Sequence, residues 1–335
     1  MKAAIYYGVK DLRVEEIPDP VCGLRDVVVR SVRTGICGSD LKGYFISGML
    51  SGNFPGREIG HEMAGRVVEA GSEVEGIRVG DKVFVNPVTS TIPGESDMMG
   101  GFSEYVRVPD AKVDHNIYLL PDSMSYDEGA LIEPFAVGTR GKNVPGAKSG
   151  DHVVIYGAGG IGLGCASALL AQGIRPVVVV RHNKRREFLE RMGAIVCNIK
   201  EVELLKFLEE TFGISVHRLG YPAVDVDIVV DCAGGVNVFD DFVQMRKIGS
   251  RLSLVATASE PMPVQTGRIM SAEAHIMGSC SYMHSDLVEV IDILANKKSL
   301  MPETITHHFP LADINEAFET ANNHDIAIKV LVDME

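Results

Sequence analysis

The chain has 335 residues, which is more than one hydrophobic core usually organises, so we expect two domains. Hydrophobic residues make up 46% of the sequence and charged residues 23%, a balance typical of globular proteins that excludes a disordered chain. The formal net charge is −13 and no long basic run is present, so a nucleic-acid partner is not expected.

The first third of the chain is predicted to be rich in β-strands. Short runs of β-branched and aromatic residues are separated by clusters of glycine and proline, which is the usual pattern of strands and their turns. The predicted strands cover residues 27–29, 64–70, 82–85 and 105–108.

From about residue 150 the pattern changes to strands that alternate with helices. The predicted strands are 153–156, 177–180, 228–231 and 252–256, and the predicted helices are 161–172, 184–192 and 239–245. Such alternation indicates a parallel sheet with helices on its faces. The remaining chain is predicted to form helices at 287–295 and 314–321 and a final strand at 328–332.

One apolar stretch, residues 153–174, is long enough to suggest a membrane span. It contains Gly160 and Gly164 at the spacing of a transmembrane packing motif. However, it opens with a β-branched run, breaks at several glycines and resumes with alanine and leucine. That order is typical of a buried strand, a tight turn and a buried helix, so we expect no membrane partner.

A glycine-rich turn joins this strand to this helix. Gly157, Gly159 and Gly162 fit the pattern G-x-G-x-x-G. The first glycine allows a tight turn, the second lets the backbone approach a pyrophosphate, and the third lets the helix pack on the strand. Gly160 and Ile161 lie at the helix start, where free N–H groups favour anions. A plain turn is the alternative, but the flanking strand and helix favour a dinucleotide site.

The residues after the second strand of this region indicate which dinucleotide is bound. In NAD-binding proteins an acidic residue about 20 positions beyond the glycines binds the ribose hydroxyls. Here Arg181 and His182 follow the strand, Arg186 lies further along, and no acid stands at the strand end. A guanidinium there can pair with the 2′-phosphate of NADP. We therefore predict NADP rather than NAD, while Lys184 and Arg185 also fit a solvated basic helix start.

A candidate metal site lies in the first domain. Cys37 stands in the segment Gly-Ile-Cys-Gly-Ser-Asp, and His61 and Glu62 stand in Gly-His-Glu. Thiolate, imidazole and carboxylate all bind zinc, and three protein ligands with an open fourth position are typical of catalytic zinc. No second histidine follows at the spacing of metalloproteases. By spacing alone, a buried structural cysteine and a surface His-Glu pair would explain the same residues.

These motifs, followed in order by a Glu-Pro pair at 133–134 and by the glycine-rich turn, resemble those of the zinc-containing medium-chain dehydrogenases. The resemblance covers nearly the whole chain. It is strongest to the branch of sorbitol, idonate and threonine dehydrogenases, in which Glu follows the ligand His. It implies that Cys37, His61 and Glu62 hold zinc. It also implies that Glu133 is either a further ligand or a hydrogen-bond partner of the bound water.

The same resemblance implies the architecture and the reaction. We expect an α/β protein with a doubly wound Rossmann domain at residues 136–280. A mostly antiparallel, GroES-like catalytic domain would cover residues 1–135 and resume at 281–335. The implied reaction transfers a hydride between NAD(P) and a secondary alcohol or ketone, with a polyol, sugar or sugar acid as the substrate.

Further site residues follow from the resemblance. The segments around Cys232, Val255 and Ser279 match those whose backbones line the cofactor. Ser39 stands where the family has the first hydroxyl of its proton relay, although a serine with only a structural role in a turn would fit the same position. Tyr44 lies one place after the usual aromatic residue of sorbitol dehydrogenases. Ser39 and Tyr44 are therefore candidate catalytic residues.

The sequence departs from these relatives at several positions. The loop of residues 86–101 contains no cysteine where many relatives have four, so we expect one catalytic zinc and no structural zinc. Lys42 replaces a relay histidine, and a lysine near its usual pKa is a poor relay at neutral pH. Ser281 precedes Tyr282 where arginine is common. We therefore expect a pocket that differs from that of sorbitol dehydrogenase itself.

Two other functions fit parts of the sequence. One is a zinc-free, NADPH-dependent reductase of enones or quinones on the same scaffold, which the complete set of Cys37, His61 and Glu62 disfavours. The other is a catalytically silent NADP-binding sensor, which the replacement of the relay histidine by Lys42 leaves open.

The six cysteines are widely scattered without a CxxC pair, which indicates a reducing cytoplasm rather than a disulfide framework. Members of the family are dimers or tetramers, so we also expect a homo-oligomer that acts on a small alcohol or polyol.

Overall fold

The computed structural model describes residues 1–48, 52–90, 100–235, 237–258, 261 and 263–334. The chain forms two compact units. The β-rich unit consists of Met1–Pro134, Leu294–Asn296 and Met301–Glu335, and the α/β unit consists of Phe135–Ile293 and Lys297–Leu300. Residues 281–293 thus belong to the α/β unit, whereas the sequence assigned them to the returning catalytic domain. The sequence-based domain boundaries stay a prediction.

The strands are numbered in chain order. They are β1 (Lys2–Gly8), β2 (Asp11–Glu16), β3 (Val27–Gly35), β4 (Arg57–Glu58), β5 (Glu62–Ala70), β6 (Lys82–Val85), β7 (Tyr105–Val108), β8 (Ile117–Leu119), β9 (Val153–Tyr156), β10 (Val177–Val180), β11 (Ile195–Asn198), β12 (Ile214–Val216), β13 (Pro222–Val224), β14 (Ile228–Asp231), β15 (Arg251–Leu254), β16 (His275–Gly278), β17 (Ile305–Pro310) and β18 (Lys329–Asp333).

The α-helices are numbered in the same way. They are α1 (Gly38–Phe45), α2 (Pro87–Ser90), α3 (Tyr126–Ala130), α4 (Ile132–Asn143), α5 (Gly160–Ala171), α6 (Arg186–Met192), α7 (Leu204–Phe212), α8 (Val238–Met245), α9 (Thr266–Ala272), α10 (His284–Ala295) and α11 (Ile314–Asn322). None of the helices in the described ranges is long and apolar enough to span a membrane.

The β-rich unit is built on a mostly antiparallel sheet with the strand order β17-β18-β3-β5-β6-β8, in which β7 also pairs with β3. Strand β3 is buried along nearly its whole length, and its valines pack with those of β5, β6 and β7. Burial of these branched side chains drives the sheet to form around β3. A smaller antiparallel sheet has the order β2-β1-β4.

The α/β unit is built on a sheet with the strand order β11-β10-β9-β14-β15-β16, and every pairing between these strands is parallel. This is the strand order of dinucleotide-binding domains. Strands β9, β10 and β14 are buried at every position because helices cover both faces of a parallel sheet. The apolar stretch 153–174 is therefore a buried strand, a turn and a helix, and the predicted fold class is confirmed.

Several elements were not predicted. Strand β1 is a short apolar run without alternation, and strand β2 has charged residues at four of its six positions, so neither shows over its whole length the alternating pattern on which strand prediction depends. The short antiparallel hairpin of β12 and β13 lies outside the parallel sheet. Its segment was unassigned because three-residue strands give too little periodicity to detect.

Candidate functional site

The pairing of β3 with β5 brings the candidate metal ligands together. The antiparallel register places Gly35, the last residue of β3, opposite Glu62, the first residue of β5. Cys37 follows two residues after Gly35 and caps the start of α1, and His61 directly precedes β5. The sulfur of Cys37, a ring nitrogen of His61 and a carboxylate oxygen of Glu62 all lie within 4.8 Å of one another. One sulfur, one nitrogen and one oxygen at this separation form a donor set that suits zinc.

A buried carboxylate that the sequence analysis assigned no role supports this cluster. Asp40 is fully buried in the first turn of α1, and its Oδ2 accepts a hydrogen bond of 2.9 Å from the backbone N–H of Cys37. Its Oδ1 lies 3.7 Å from Nδ1 of His61. Among the described residues, neither of these two buried atoms has a hydrogen-bond partner. Asp40 therefore fixes the loop of Cys37 and faces the imidazole of His61, as a carboxylate behind a metal-bound histidine does.

The ionisable groups around the cluster have pKa values that are shifted by burial and by one another. Burial raises the pKa of Glu133 to about 7, and the neighbouring Glu62 adds to the effect, while His61 opposes it. Burial alone would lower the pKa of His61, yet Asp40 and Cys37 together hold it well above its usual value. Asp40 and Cys37 thus place negative charge around the imidazole of His61, and this charge favours a positive group at the cluster. A divalent metal ion would supply that positive charge.

A lysine from the end of the chain also reaches the cluster. Lys329 is buried at the start of β18, and its ammonium donates hydrogen bonds to Oε2 of Glu62 and, at 3.0 Å, to the carbonyl of Ile36. A Cβ at Gly35 would collide with the carboxylate of Glu62 and with the end of the Lys329 side chain. A larger residue at this position would displace the ends of these two side chains. The lysine balances the charge of Glu62 in a place where water cannot.

Two predicted catalytic residues occupy different surroundings. Ser39 is half-buried in the first turn of α1, two residues after Cys37. Tyr44 lies at the other end of that helix, where it is 3% exposed, packs against Phe318 and donates a hydrogen bond of 3.0 Å to Oδ1 of Asn315. Its ring belongs to the hydrophobic core and its hydroxyl is satisfied there. The catalytic role of Tyr44 stays a prediction, and its contacts with Asn315 and Phe318 also give it a structural role.

Hydrogen bonds hold the first residues of the loop 86–101, in which no structural zinc was expected. Asn86 donates a hydrogen bond of 2.9 Å to the carbonyl of His115, and its side-chain oxygen accepts one of 3.1 Å from the N–H of Val88. Residues 91–99 of this loop lie outside the described residues. The absence of a structural zinc stays a prediction.

The glycine-rich turn has the geometry that a dinucleotide requires. Gly157 follows β9 with a φ of +98°, which glycine adopts without strain, and Gly159 caps the start of α5 at Gly160. A Cβ at Gly162 would collide with the carbonyl oxygen of Gly157. The backbone N–H groups of Gly160 and Ile161 lie in the first turn of a twelve-residue helix, which favours an anion. The turn is thus a cradle that fits a pyrophosphate.

We expect Gly162→Ala to weaken dinucleotide binding by at least about tenfold, because the added methyl must push the turn away from α5. The dissociation constant, measured by titration of NADPH fluorescence, checks this. Gly267→Ala is the matched control, since a Cβ there meets no atom within 4 Å. Equal dinucleotide affinity in the two variants would show that the turn tolerates a side chain.

The remaining predicted cofactor residues lie at the same edge of the sheet as this turn. Cys232 follows β14 and donates its backbone N–H to the carbonyl of Tyr156 at the end of β9. Val255 follows β15, and Ser279 follows β16. The hydroxyl of Ser279 is buried and, in the part of the chain that is described, has no hydrogen-bond partner. The carboxyl ends of parallel strands are where such sheets bind ligands.

The basic residues after β10 divide into two groups. Arg181 is exposed directly after the strand and its guanidinium lies near Gly235, while His182 is exposed beside it. Arg185, which was not assigned to the cofactor site, donates a hydrogen bond to the carbonyl of Ala158 within the glycine-rich turn. Arg185 therefore contacts the glycine-rich turn, whereas Arg181 lies at the end of β10 near Gly235.

Arg186, which was assigned to the cofactor site, has different partners. It contacts Glu201 at 3.0 Å, Asn183 at 3.0 Å and Glu190 at 3.7 Å. Its charge is balanced by Glu201 and Glu190, and its role at the cofactor site stays a prediction. The periodicity of the sequence could not distinguish Arg185 from Arg186, because adjacent residues on a helix differ in direction by about 100°.

Two protein-family models match the chain. The model of the alcohol dehydrogenase GroES-like domain matches residues 23–121, and the model of the zinc-binding dehydrogenase matches residues 160–296. The first match contains Cys37, His61 and Glu62, and the second contains the whole of α5 and the strands β10 to β16.

Individual proteins are similar over nearly the full length. The chain is 30% identical to the (R,R)-butanediol dehydrogenase of Neisseria gonorrhoeae, with 99% of each chain covered. It is also 30% identical to the sorbitol dehydrogenase of Bos taurus, with 98% of this chain and 94% of that one covered. The crystal structure of a short chain alcohol dehydrogenase from Escherichia coli CFT073, complexed with NADH, matches with a TM-score of 0.86 at 26% identity, with 99% of each chain covered.

Proposed function

The chain belongs to the zinc-containing medium-chain alcohol dehydrogenase family, and we propose that Cys37, His61 and Glu62 bind its catalytic zinc ion. It is an oxidoreductase that transfers a hydride between a nicotinamide dinucleotide and an alcohol or ketone. The metal proposal rests on three different donor atoms that all lie within 4.8 Å of one another. Two buried atoms of the cluster, Oδ1 of Asp40 and Nδ1 of His61, have no hydrogen-bond partner among the described residues. The chemistry that a bound zinc supplies is Lewis-acid polarisation of the substrate oxygen.

Each residue of the cluster has a distinct task in this proposal. Cys37 offers a thiolate, and His61 offers Nε2 because its Nδ1 faces Asp40 at 3.7 Å. Glu62 would offer a carboxylate oxygen to the metal, and the ammonium of Lys329 orients this carboxylate by donating a hydrogen bond to its Oε2. Glu133, whose pKa burial raises to about 7, is placed to hold a proton beside the metal near neutral pH.

The proton route is the part of the mechanism that differs from the family pattern. Ser39 is half-buried on the same helical turn as Asp40 and remains the candidate for the first hydroxyl. Lys42 stands where a relay histidine is common, and Tyr44 has its hydroxyl bound to Asn315. We propose that protons pass from Ser39 towards solvent without a side-chain base at position 42.

We propose a polyol, sugar alcohol or sugar acid as the substrate class. The butanediol and sorbitol dehydrogenases that the chain resembles are named for compounds with more than one hydroxyl. The zinc-free reductase is not favoured, because these relatives are alcohol dehydrogenases and the donor set is complete. A polyol requires hydrogen-bonding partners for its second hydroxyl, so an alcohol with a single hydroxyl should react less efficiently.

The test is a substrate panel with zinc-loaded protein and either NADP or NAD. Butane-2,3-diol, sorbitol and an aldonic acid are compared with propan-2-ol, which carries a single hydroxyl. We expect the highest kcat/KM for a member of the first three. No turnover of any alcohol or ketone by protein that holds one zinc and binds the dinucleotide would favour the silent NADP-binding sensor instead.

We propose NADP as the preferred dinucleotide, supported by Arg181 at the end of β10 and by Arg185 over the glycine-rich turn. Two guanidiniums can bind the 2′-phosphate, whereas no acidic residue at the strand end is available for the ribose hydroxyls of NAD. The Escherichia coli structure with NADH shows that the same fold accepts the other dinucleotide. The preference therefore depends on these side chains rather than on the fold.

The compartment and the assembly are also proposals. All six cysteines are free thiols, which supports a reducing cytoplasm. Strand β16 ends the parallel sheet, and an unpaired strand edge is suited to pairing with a second copy, which supports a homodimer or homotetramer.

We expect Asp40→Asn to lower zinc affinity by about 10- to 100-fold, because an amide cannot orient and charge-balance His61 as the carboxylate does. Zinc affinity measured by competition with a chelator checks this. Asp122→Asn, which changes an exposed carboxylate of the same unit, is the control. Wild-type affinity in the Asp40 variant would mean that His61 is held by other contacts.

A further inference from the structure

A cavity lies in the α/β unit, away from the glycine-rich turn. Its walls come from the hairpin of β12 and β13, from the end of α8 and from α9, and its volume is about 190 Å³. These three elements lead into the amino ends of β14, β15 and β16, respectively. Because the strands are parallel, the cavity lies at their amino ends, whereas the glycine-rich turn follows the carboxyl end of β9. The cavity and the dinucleotide cradle are therefore on opposite edges of one sheet.

Two arginine side chains line this cavity. Arg246 follows α8 and Arg268 lies in α9. Within the described ranges, neither guanidinium forms an ion pair, whereas the nearby Arg218 is paired with Glu273 at 2.5 Å. In a chain with a net charge of −13, two adjacent guanidiniums without a counter-charge create a local positive potential. Planar guanidiniums bind carboxylates and phosphates through paired hydrogen bonds.

The lining of the cavity also contains apolar side chains. Leu219 and Tyr221, from the turn of the hairpin, line it and are 67% and 55% exposed. Val243 from α8 closes the floor and is buried. The cavity thus combines two kinds of lining. The apolar side chains suit an apolar group of a ligand, and the two arginines suit an anionic group.

A histidine holds this part of the lining in place. Nδ1 of His217 accepts a hydrogen bond of 3.1 Å from the N–H of Leu219, so the proton of the neutral ring is on Nε2, which lies 2.9 Å from the carbonyl oxygen of Ser271 in α9. The backbone N–H of His217 donates to the carbonyl of Tyr221 at 2.8 Å. The hairpin is thereby tied to α9 before any ligand arrives. A cavity that is already formed binds a ligand with less loss of conformational entropy.

The backbone at Arg246 adopts a conformation that suits glycine. This residue ends α8 with a φ of +64°, a conformation in which glycine is the residue usually found. An arginine there is less favourable than glycine by about 1 kcal/mol. Replacing Arg246 by glycine would therefore remove the guanidinium without straining the backbone.

We propose that this cavity is a binding site for a small oxyanion joined to an apolar or aromatic group. The guanidiniums of Arg246 and Arg268 bind the phosphate or carboxylate, and the apolar group lies against Leu219, Tyr221 and Val243. The site is separate from the dinucleotide cradle and from the metal cluster, so it is independent of the reaction proposed above. Neutral apolar compounds of the same size lack the charge that the arginines require.

The test uses zinc-loaded protein saturated with dinucleotide, so that the phosphate sites of the cofactor are occupied. Phenyl phosphate and benzoate are the probes for the two kinds of oxyanion, and benzamide is the neutral probe. The thermal unfolding midpoint and calorimetric titration are measured for wild type, Arg246→Gly and Arg268→Gln. Arg57→Gln, which changes an exposed arginine of the β-rich unit, is the control.

We expect phenyl phosphate or benzoate to raise the unfolding midpoint of wild type and of Arg57→Gln. Arg246→Gly and Arg268→Gln should bind the same probe about tenfold or more weakly. Arg246→Gly should fold normally, because glycine suits its backbone conformation. The proposal is overturned if neither anion binds wild type, if benzamide binds equally well, or if the four proteins bind the anions with the same affinity.

Discussion

Cys37→Ala is expected to remove the zinc ion from the protein and to lower kcat/KM for the best alcohol by roughly a thousandfold or more. The variant leaves a nitrogen and an oxygen donor, from His61 and Glu62, around a position that suited three ligands. Zinc sites with two protein donors are weak, and the anions that surround the cluster would then be balanced by protonation of His61 instead. Metal content per chain and steady-state kinetics on the same sample measure both effects.

A second cysteine of the same unit provides the control for this experiment. Cys22 is partly buried, and its thiol donates a hydrogen bond of 3.2 Å to the carbonyl of Asp26, far in sequence from the cluster. Cys22→Ala removes a thiol of similar burial without touching a proposed ligand, so it should retain zinc and activity. Dinucleotide binding by Cys37→Ala tests whether the α/β unit is intact. A Cys37 variant that retains one zinc and full turnover would refute the proposed metal site.

Arg181→Asp is expected to reverse the dinucleotide preference. The variant removes a guanidinium that would bind the 2′-phosphate and places there the acid that binds ribose hydroxyls in NAD-dependent proteins. Loss of one charge-assisted contact and gain of a repulsion should weaken NADP by roughly a hundredfold, and NAD should bind better than in wild type. The ratio of kcat/KM for NADP to that for NAD is the quantity to measure, with one alcohol held at saturation.

The neighbouring arginines make this experiment specific. Arg185→Gln should weaken NADP but leave NAD nearly unchanged, because Arg185 lies against the glycine-rich turn. Arg186→Gln should leave the NADP-to-NAD ratio as in wild type, because its guanidinium is bound to Glu201 and Glu190. A change of this ratio in Arg186→Gln alone would contradict the roles proposed for Arg181 and Arg185 in binding NADP. A wild-type protein that prefers NAD would leave the metal proposal intact and refute only the role of Arg181.

The sequence by itself determined the features that depend on local order. The alternation of strands and helices after residue 150 predicts a parallel sheet, and the position of Gly157 between a buried strand and a helix predicts a dinucleotide turn. Cys37, His61 and Glu62 were found in the same way, since each stands in a short motif. Patterns of this kind can be recognised in a sequence because neighbouring residues set the local backbone conformation and burial.

The tertiary structure decided which side chains meet. Lys329 reaches Glu62 across 267 residues of sequence, because β18 and β5 both pair with β3. Tyr44 is in the core, and Arg185 rather than Arg186 faces the glycine-rich turn, because the direction of a side chain on a helix depends on its phase. Strand pairing and helix phase are products of the packed chain, and no local pattern encodes them.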